Sequence, residues 1–215
     1  MPPATGVKTT VSCSASHRLA LVAASGALVF ASGTPTTPAL AAPKFGTAPA
    51  LPALSAVTLS GAAQTTNATM NNFSVEEGLE SGGWNISVAG QGGTGKSAVF
   101  MQYCPKAKCG SEKEGYVTGG FTLPAGSLTL NTTGASLTGG SGTAPTLQCS
   151  SGCAVESASA VKVVSRAAGG SGLSTWKTSG FSATSITLST PSTLRFLANN
   201  EVYRVNVLWT LSTGP

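Results

Sequence analysis

The most regular pattern of apolar and polar positions lies in residues 202–211. Tyr203, Val205, Val207, Trp209 and Leu211 alternate there with Val202, Arg204, Asn206, Leu208 and Thr210. A period of two puts each set on one face of an extended chain, and the first set is wholly apolar or aromatic. The segment is predicted to be a long strand packed on a core. Residues 84–88 repeat the pattern, with Trp84, Ile86 and Val88 on one face and Asn85 and Ser87 on the other. Weaker strand signals fall at 54–59, 68–75, 161–164, 185–188 and 194–197, and at 121–130, which Pro124 and Gly126 divide in two. Between them lie a Glu- and Gly-rich turn at 76–83, a long surface loop or hairpin at 90–120 and a Gly/Ser/Thr-rich stretch at 131–159. Beyond residue 41 no segment carries a helical period. Short strands at this spacing predict an all-β domain, a single β-sandwich or flattened barrel of mostly antiparallel strands.

Residues 1–41 are patterned differently. Lys8, His17 and Arg18 precede an apolar run at 19–31, then comes a polar stretch, and Ala39-Leu40-Ala41 supplies a small-x-small site. This is the layout of a secretory signal peptide, and the run is too short to span a bilayer as a helix. Cys13 lies ahead of the run and does not read as a lipid-attachment cysteine. Cleavage near Ala41 leaves residues 42–53, rich in Pro and Ala, as a flexible spacer, and 54–215 as the β domain. With no second apolar run of membrane length, the expectation is a secreted chain without a membrane span, held to any surface non-covalently.

Composition narrows the chemistry. Only 9% of the 215 residues are charged and 27 are glycine, which suits strands and turns better than surface helices. The one histidine, His17, leaves with the leader. Aspartate is absent, and the acidic residues are Glu76, Glu77, Glu80, Glu112, Glu114, Glu156 and Glu201. Ten Lys and Arg against seven Glu give the processed chain a net charge of +3. That mild basicity suits an anionic wall polymer and is too weak to argue for nucleic acid. Cys104, Cys109, Cys149 and Cys153 remain, and four cysteines allow three pairings. An oxidising exterior favours disulfides, with Cys104–Cys109 and Cys149–Cys153 the simplest pairing; a four-thiolate zinc site is the alternative.

Catalytic patterns fail mostly by subtraction. Residues 90–97, Gly-Gln-Gly-Gly-Thr-Gly-Lys-Ser, fit the phosphate-binding G-x-x-x-x-G-K-[ST] pattern behind a strand. Such a cradle needs a helix N-terminus, yet Pro105 and a cysteine pair interrupt the residues after Ser97, and no aspartate exists to hold magnesium. The pattern is read as a flexible loop. Lacking His and Asp, the processed chain has no usual serine or cysteine triad and no histidine metal site. Glu76, Glu77 and Glu80 form a carboxylate cluster of the kind glycosidases use, but within one turn they read as a solvated acidic loop. A Ser–Lys dyad on Lys96, Lys162 or Lys177 has nothing pointing to it. The expectation is a protein that is not an enzyme and uses no cofactor or metal. Lys96, Lys106, Lys108 and Lys113 form a candidate basic patch toward anionic polymer.

Two strand signatures, taken together, resemble the WxL domain of Gram-positive surface proteins, in an actinobacterial-type variant. The first is Phe73-Ser74-Val75, an acidic Gly-rich turn, then Gly83-Trp84-Asn85-Ile86-Ser87-Val88. The second runs from Val202 to Leu211 as Tyr-x-x-x-x-x-Trp-x-Leu and closes on Gly214-Pro215. Leu123-Pro124-Ala125-Gly126-Ser127-Leu128 between them also fits, and the likeness covers residues 54–215. The first motif reads Trp-x-Ile in place of Trp-x-Leu, and the cysteine-bearing insertion departs from the family core. The resemblance implies an exported domain that binds peptidoglycan non-covalently and joins a complex with a WxL-interacting surface protein. It marks Trp84, Ile86, Trp209 and Leu211 as motif positions. The pleat groups both tryptophans with aliphatic neighbours, which favours core packing over direct glycan stacking. The other classes open are a structural subunit that assembles through edge-strand pairing and an adhesin presenting the 90–120 loop.

Overall fold

The two signature strands are neighbours in one sheet. In the computed structural model of the chain, Val202–Thr213 runs antiparallel to Trp84–Gly90, with Trp209 opposite Val88, Leu211 opposite Ile86 and Thr213 opposite Trp84. The structure describes residues 42–78, 80–171, 174–197 and 201–214, with backbone alone at Glu80–Ser81, Gly170–Ser171, Lys8–Thr9 and Val11–Ala15. Of the predicted leader, only those last two strands are described; the apolar run at 19–31 and the site at residues 39–41 lie outside the described residues. Alternation in sequence becomes alternation in burial: Trp84, Ile86 and Val88 are buried along their strand, as are Tyr203, Val205, Val207 and Trp209 along the closing one.

In this sheet Val202–Thr213 pairs with Met101–Cys104 at residues 202–204 and with Trp84–Gly90 at residues 207–213, both along one side. Gly115–Tyr116 adds beside Met101–Cys104, Val161–Arg166 and then Thr146–Leu147 beside Trp84–Gly90, and Val11–Ala15 pairs separately with the closing strand. A second sheet orders Cys153–Ala154, Leu128–Leu130, Ile186–Thr190 and Gln64–Ala68, and a third Ser136–Gly139, Thr175–Ser179, Ser74–Glu76 and Lys44–Thr47. The fold is all-β, a sandwich of antiparallel sheets, and among the described residues no sheet closes into a barrel. One continuous apolar core joins the sheets, drawing Trp84, Ile86 and Val205 from the first, Leu128 and Ile186 from the second, and Val75 and Trp176 from the third.

Several strands lie where the pattern was weak. Lys44–Thr47, within the predicted spacer, is an edge strand: Phe45 pairs with Val75, and both Phe45 and Leu51 pack on the core. Those two side chains give this Pro-rich stretch apolar area worth burying. Thr175–Ser179 has one strongly apolar residue, Trp176, but Thr178 is buried beside it and its hydroxyl bonds both backbone groups of Phe73. Residues 194–197, by contrast, form no strand.

The Glu-rich turn is solvated only in part, and the Glu80 side chain lies outside the described residues. Glu76 does reach solvent, paired with Lys44 at 3.0 Å. Glu77 is buried, and its Oε1 lies 2.8 Å from Nη1 of Arg166, itself wholly buried. The same carboxylate accepts hydrogen bonds from the indole N–H of Trp84 and from the Ser174 hydroxyl. Arg166 donates in turn to the carbonyls of Thr143 (3.1 Å) and Ser141 (2.9 Å), and its guanidinium stands 5.6 Å from the Trp176 ring centroid. Burying two charges is tolerable only because nearly every polar atom finds a partner. Gly83, at φ +82°, passes so close to this cluster that a Cβ would sit 2.6 Å from the Arg166 carbonyl.

The two motif tryptophans therefore differ. Trp84 is hydrogen-bonded to a buried carboxylate, whereas Trp209 packs on Phe73 with ring centroids 6.5 Å apart, its indole N–H having no partner among the described residues. Trp84→Phe is expected to cost about 2 kcal/mol, because Glu77 loses a donor it cannot replace from water. Trp209→Phe, with no hydrogen bond to lose, should cost about 1 kcal/mol. Urea unfolding of the two variants makes the comparison, and equal losses would contradict it.

Candidate functional site

A cleft of about 530 Å³ opens between residues 120–124 and residues 191–195, with Tyr203 beneath them. Its size is within the range of about 300–1,000 Å³ common for small-ligand sites. Backbone geometry builds one wall. Thr118 and Gly119 turn the chain, Gly119 at φ +69°, and Gly120 crosses so near Gln102 and Val117 that a side chain there would collide with both. Phe121 is then held by Gln102 through two contacts: the Gln102 N–H donates to the Phe121 carbonyl at 2.8 Å and the Phe121 N–H to Oε1 at 3.1 Å, while Nε2 of Gln102 donates onward to Glu201 at 2.6 Å. The ring is left 47% exposed, one of two large apolar side chains this open among the described residues; the other is Phe196.

The opposite wall is a turn in which the Leu194 N–H donates to the Pro191 carbonyl at 3.1 Å. Tyr203 comes from the buried face of the closing strand, and its hydroxyl donates to the Arg195 carbonyl at 3.1 Å. Burial pushes the Tyr203 phenol above its usual range, so it stays a donor at physiological pH. Anchored in this way, Arg195 sets its guanidinium 6.0 Å from the Phe121 ring centroid. A half-exposed aromatic side chain with a guanidinium over its ring suits a ligand with an apolar ring face and a carboxylate.

The residues singled out in the sequence lie elsewhere. Trp84, Ile86 and Trp209 are buried and Leu211 is partly buried against the core. The cysteines form two pairs at disulfide distance, Cys104–Cys109 and Cys149–Cys153, with Cα separations of 6.0 and 5.4 Å. The first pair closes the short helix Lys106–Cys109, which carries Lys106 and Lys108, and Lys113 follows outside that loop on the exposed turn Ser111–Lys113. Glu112 and Glu114 are interleaved with these lysines, and Glu114 accepts the Tyr103 hydroxyl at 2.9 Å. Lys96 is on a separate tight turn, where its N–H donates to the Gly93 carbonyl at 3.0 Å. The phosphate-loop pattern thus folds as a small hairpin, and the chain continues into the strand Met101–Cys104, not into a helix. Its first glycine, Gly90, is needed for close packing, since a Cβ there would collide with the Ala98 backbone.

Sequence reading missed Phe121 and Arg195. Neither belongs to a motif; Phe121 offered only an apolar residue beside turn-forming Gly120, and Arg195 offered no signal. Among the described residues no group of three or more His, Cys, Asp or Glu is placed to hold a metal ion, and no helix is long and apolar enough to cross a membrane. No protein-family model matches the chain, and no curated protein or solved structure matches it.

Behind the wall at Pro124 sits a buried carboxylate. The Ser127 hydroxyl donates to the Pro124 carbonyl at 2.6 Å, and the next residue, Leu128, donates its N–H to Glu156 Oε1 at 2.9 Å. Glu156 is fully buried and its Oε2 has no partner among the described residues. Burial, only partly offset by backbone N–H donors, holds this carboxyl above the usual glutamate range. A raised folded pKa means that the native state keeps the proton longer than the unfolded chain. The contribution is therefore full below the ordinary glutamate pKa and is lost as pH rises through the raised value. Glu156→Gln mimics the protonated form. Its melting temperature should exceed that of the parent at pH 8 and the gap should close toward pH 4; a gap independent of pH would refute this.

Proposed function

We propose that the protein is an exported, non-catalytic module that associates non-covalently with the bacterial cell wall and takes peptidoglycan in the Phe121–Arg195 cleft. The observation that carries this reading is the exposed Phe121 ring standing under the Arg195 guanidinium. Peptidoglycan offers both complements: pyranose faces that stack on an aromatic ring, and stem-peptide carboxylates that accept two N–H donors from one guanidinium. Two disulfide-distance cysteine pairs suit an oxidising exterior. The likeness of the Trp84 and Trp209 strands to WxL domains favours the same setting, and with it a WxL-interacting surface protein as a partner. With both tryptophans in the core, the motif defines the fold and the cleft supplies the contact.

A second reading, toward anionic wall polymer, rests on Lys106, Lys108 and Lys113 standing together on one exposed excursion. It differs in its salt dependence, because point charges at a surface are screened over about 10 Å at 0.1 M salt.

Co-sedimentation with purified peptidoglycan sacculi tests the choice. Phe121→Ala and Arg195→Ala should each weaken retention by about fivefold to tenfold, equivalent to about 1 kcal/mol, while Trp84→Phe retains binding. Full retention by the Phe121→Ala/Arg195→Ala double variant would rule out the cleft. Loss on Lys106→Ala/Lys108→Ala, deepening as salt falls, would move the contact to the excursion.

A further inference from the structure

The strand Val11–Ala15 lies parallel to the closing strand, with Val11 opposite Tyr203, Cys13 opposite Val205 and Ala15 opposite Val207. Every other described strand pair is antiparallel. Tyr203 is paired on its other side with Gln102, and Val207 with Gly90, so Val11–Ala15 holds the opposite edge. Asn206 confirms the direction of the backbone groups. Its N–H donates to the Ser97 carbonyl and its carbonyl accepts from Gln91, both on the Gly90 side. Because N–H and C=O groups alternate sides along a strand, those of Val205 and Val207 face the N-terminal segment. Among the described residues nothing else pairs with that edge.

An uncovered edge of this kind is a template for strand addition, with main-chain bonds supplying the affinity. We propose that the outer edge of the closing strand at residues 203–207 is a strand-accepting site, filled in parallel by the chain's own Val11–Ala15 and opened when that segment is removed. The segment, Val-Ser-Cys-Ser-Ala, has neither charge nor proline, so no N–H that faces the closing strand is missing from the ladder. The matching partner class is an extended polypeptide of small, uncharged residues entering parallel to the closing strand. When the site opens depends on the leader being cut near Ala41, but the existence of the site does not.

The test uses the full chain, its Ser12→Pro/Cys13→Pro variant, and a synthetic peptide of residues 8–16 with serine in place of Cys13. In the parent, the amides of Val205 and Val207 should exchange slowly with deuterium and the peptide should not bind. Tethering gives the resident segment an effective concentration on the order of millimolar, so peptide at micromolar levels cannot compete. In the variant, those amides should exchange about 100-fold faster or more while Ile86 and Val88 stay protected, and the peptide should bind and restore protection. Unchanged exchange at Val205 and Val207, or a peptide that binds both chains alike or neither, would overturn the proposal. Should the variant lose protection throughout, a protease site placed within residues 16–41 and cut after folding gives the same comparison. Peptide that then exchanges with the severed segment supports the site, and peptide that cannot overturns it. N-terminal sequencing of exported chain tests the leader separately, so an intact Met1 leaves this result standing.

Discussion

The Glu77–Arg166 pair is the constraint on which the architecture turns. Glu77 lies just past the Ser74–Glu76 strand of one sheet, and Arg166 ends the Val161–Arg166 strand of another. Closing the two sheets over one core brings these residues out of water, at a cost of several kcal/mol per charge unless each is matched. The matching uses Trp84, Ser174 and the carbonyls of residues 141 and 143, so segments far apart in sequence must arrive in one arrangement. An apolar core tolerates sliding and repacking, but a buried charge cluster does not. Its main contribution is to specify how the sheets meet, more than to deepen the stability of the fold.

How much of this was legible depends on the kind of signal periodicity can register. The closing strand and Trp84–Gly90 each bury one face over many residues, so alternation in sequence exposes them directly. Val161–Arg166 is less plain because a shift in register between Lys162 and Val164 turns both Val163 and Val164 inward. Thr175–Ser179 escaped because Thr178 looks polar yet is buried to hydrogen-bond Phe73, a role only the neighbouring strand reveals. Local cysteine pairing was the simplest of the three that four cysteines allow, and the structure supplies the choice.

The cleft and the charge cluster were not legible, and for one reason. Both are assembled from residues distant in sequence, and each residue alone carries its bland meaning: a glutamate in a turn, a phenylalanine beside glycine, an arginine in a coil. Glu77 reads as solvated until Arg166, far along the chain, is known to face it. Phe121 reads as another core residue until Gln102 is seen pinning its backbone at the surface. The tryptophans were legible: their alternation with aliphatic neighbours placed both on the core face, and both are packed inside.

The place of the closing strand has a consequence for how the molecule comes into being. It sits between Trp84–Gly90 and the outer edge, and the Asn85 side chain reaches the Gly214 carbonyl across a separation of 129 residues. Until the ribosome has released residue 213, the principal sheet lacks an inner strand and Trp84, Ile86 and Val88 have nothing to pair with along that flank. Closing so long a span costs chain entropy, and topologies dominated by distant pairings fold slowly. The principal sheet can therefore close only after residue 213 has left the ribosome, and until then the apolar face of Trp84–Gly90 lacks its partner strand.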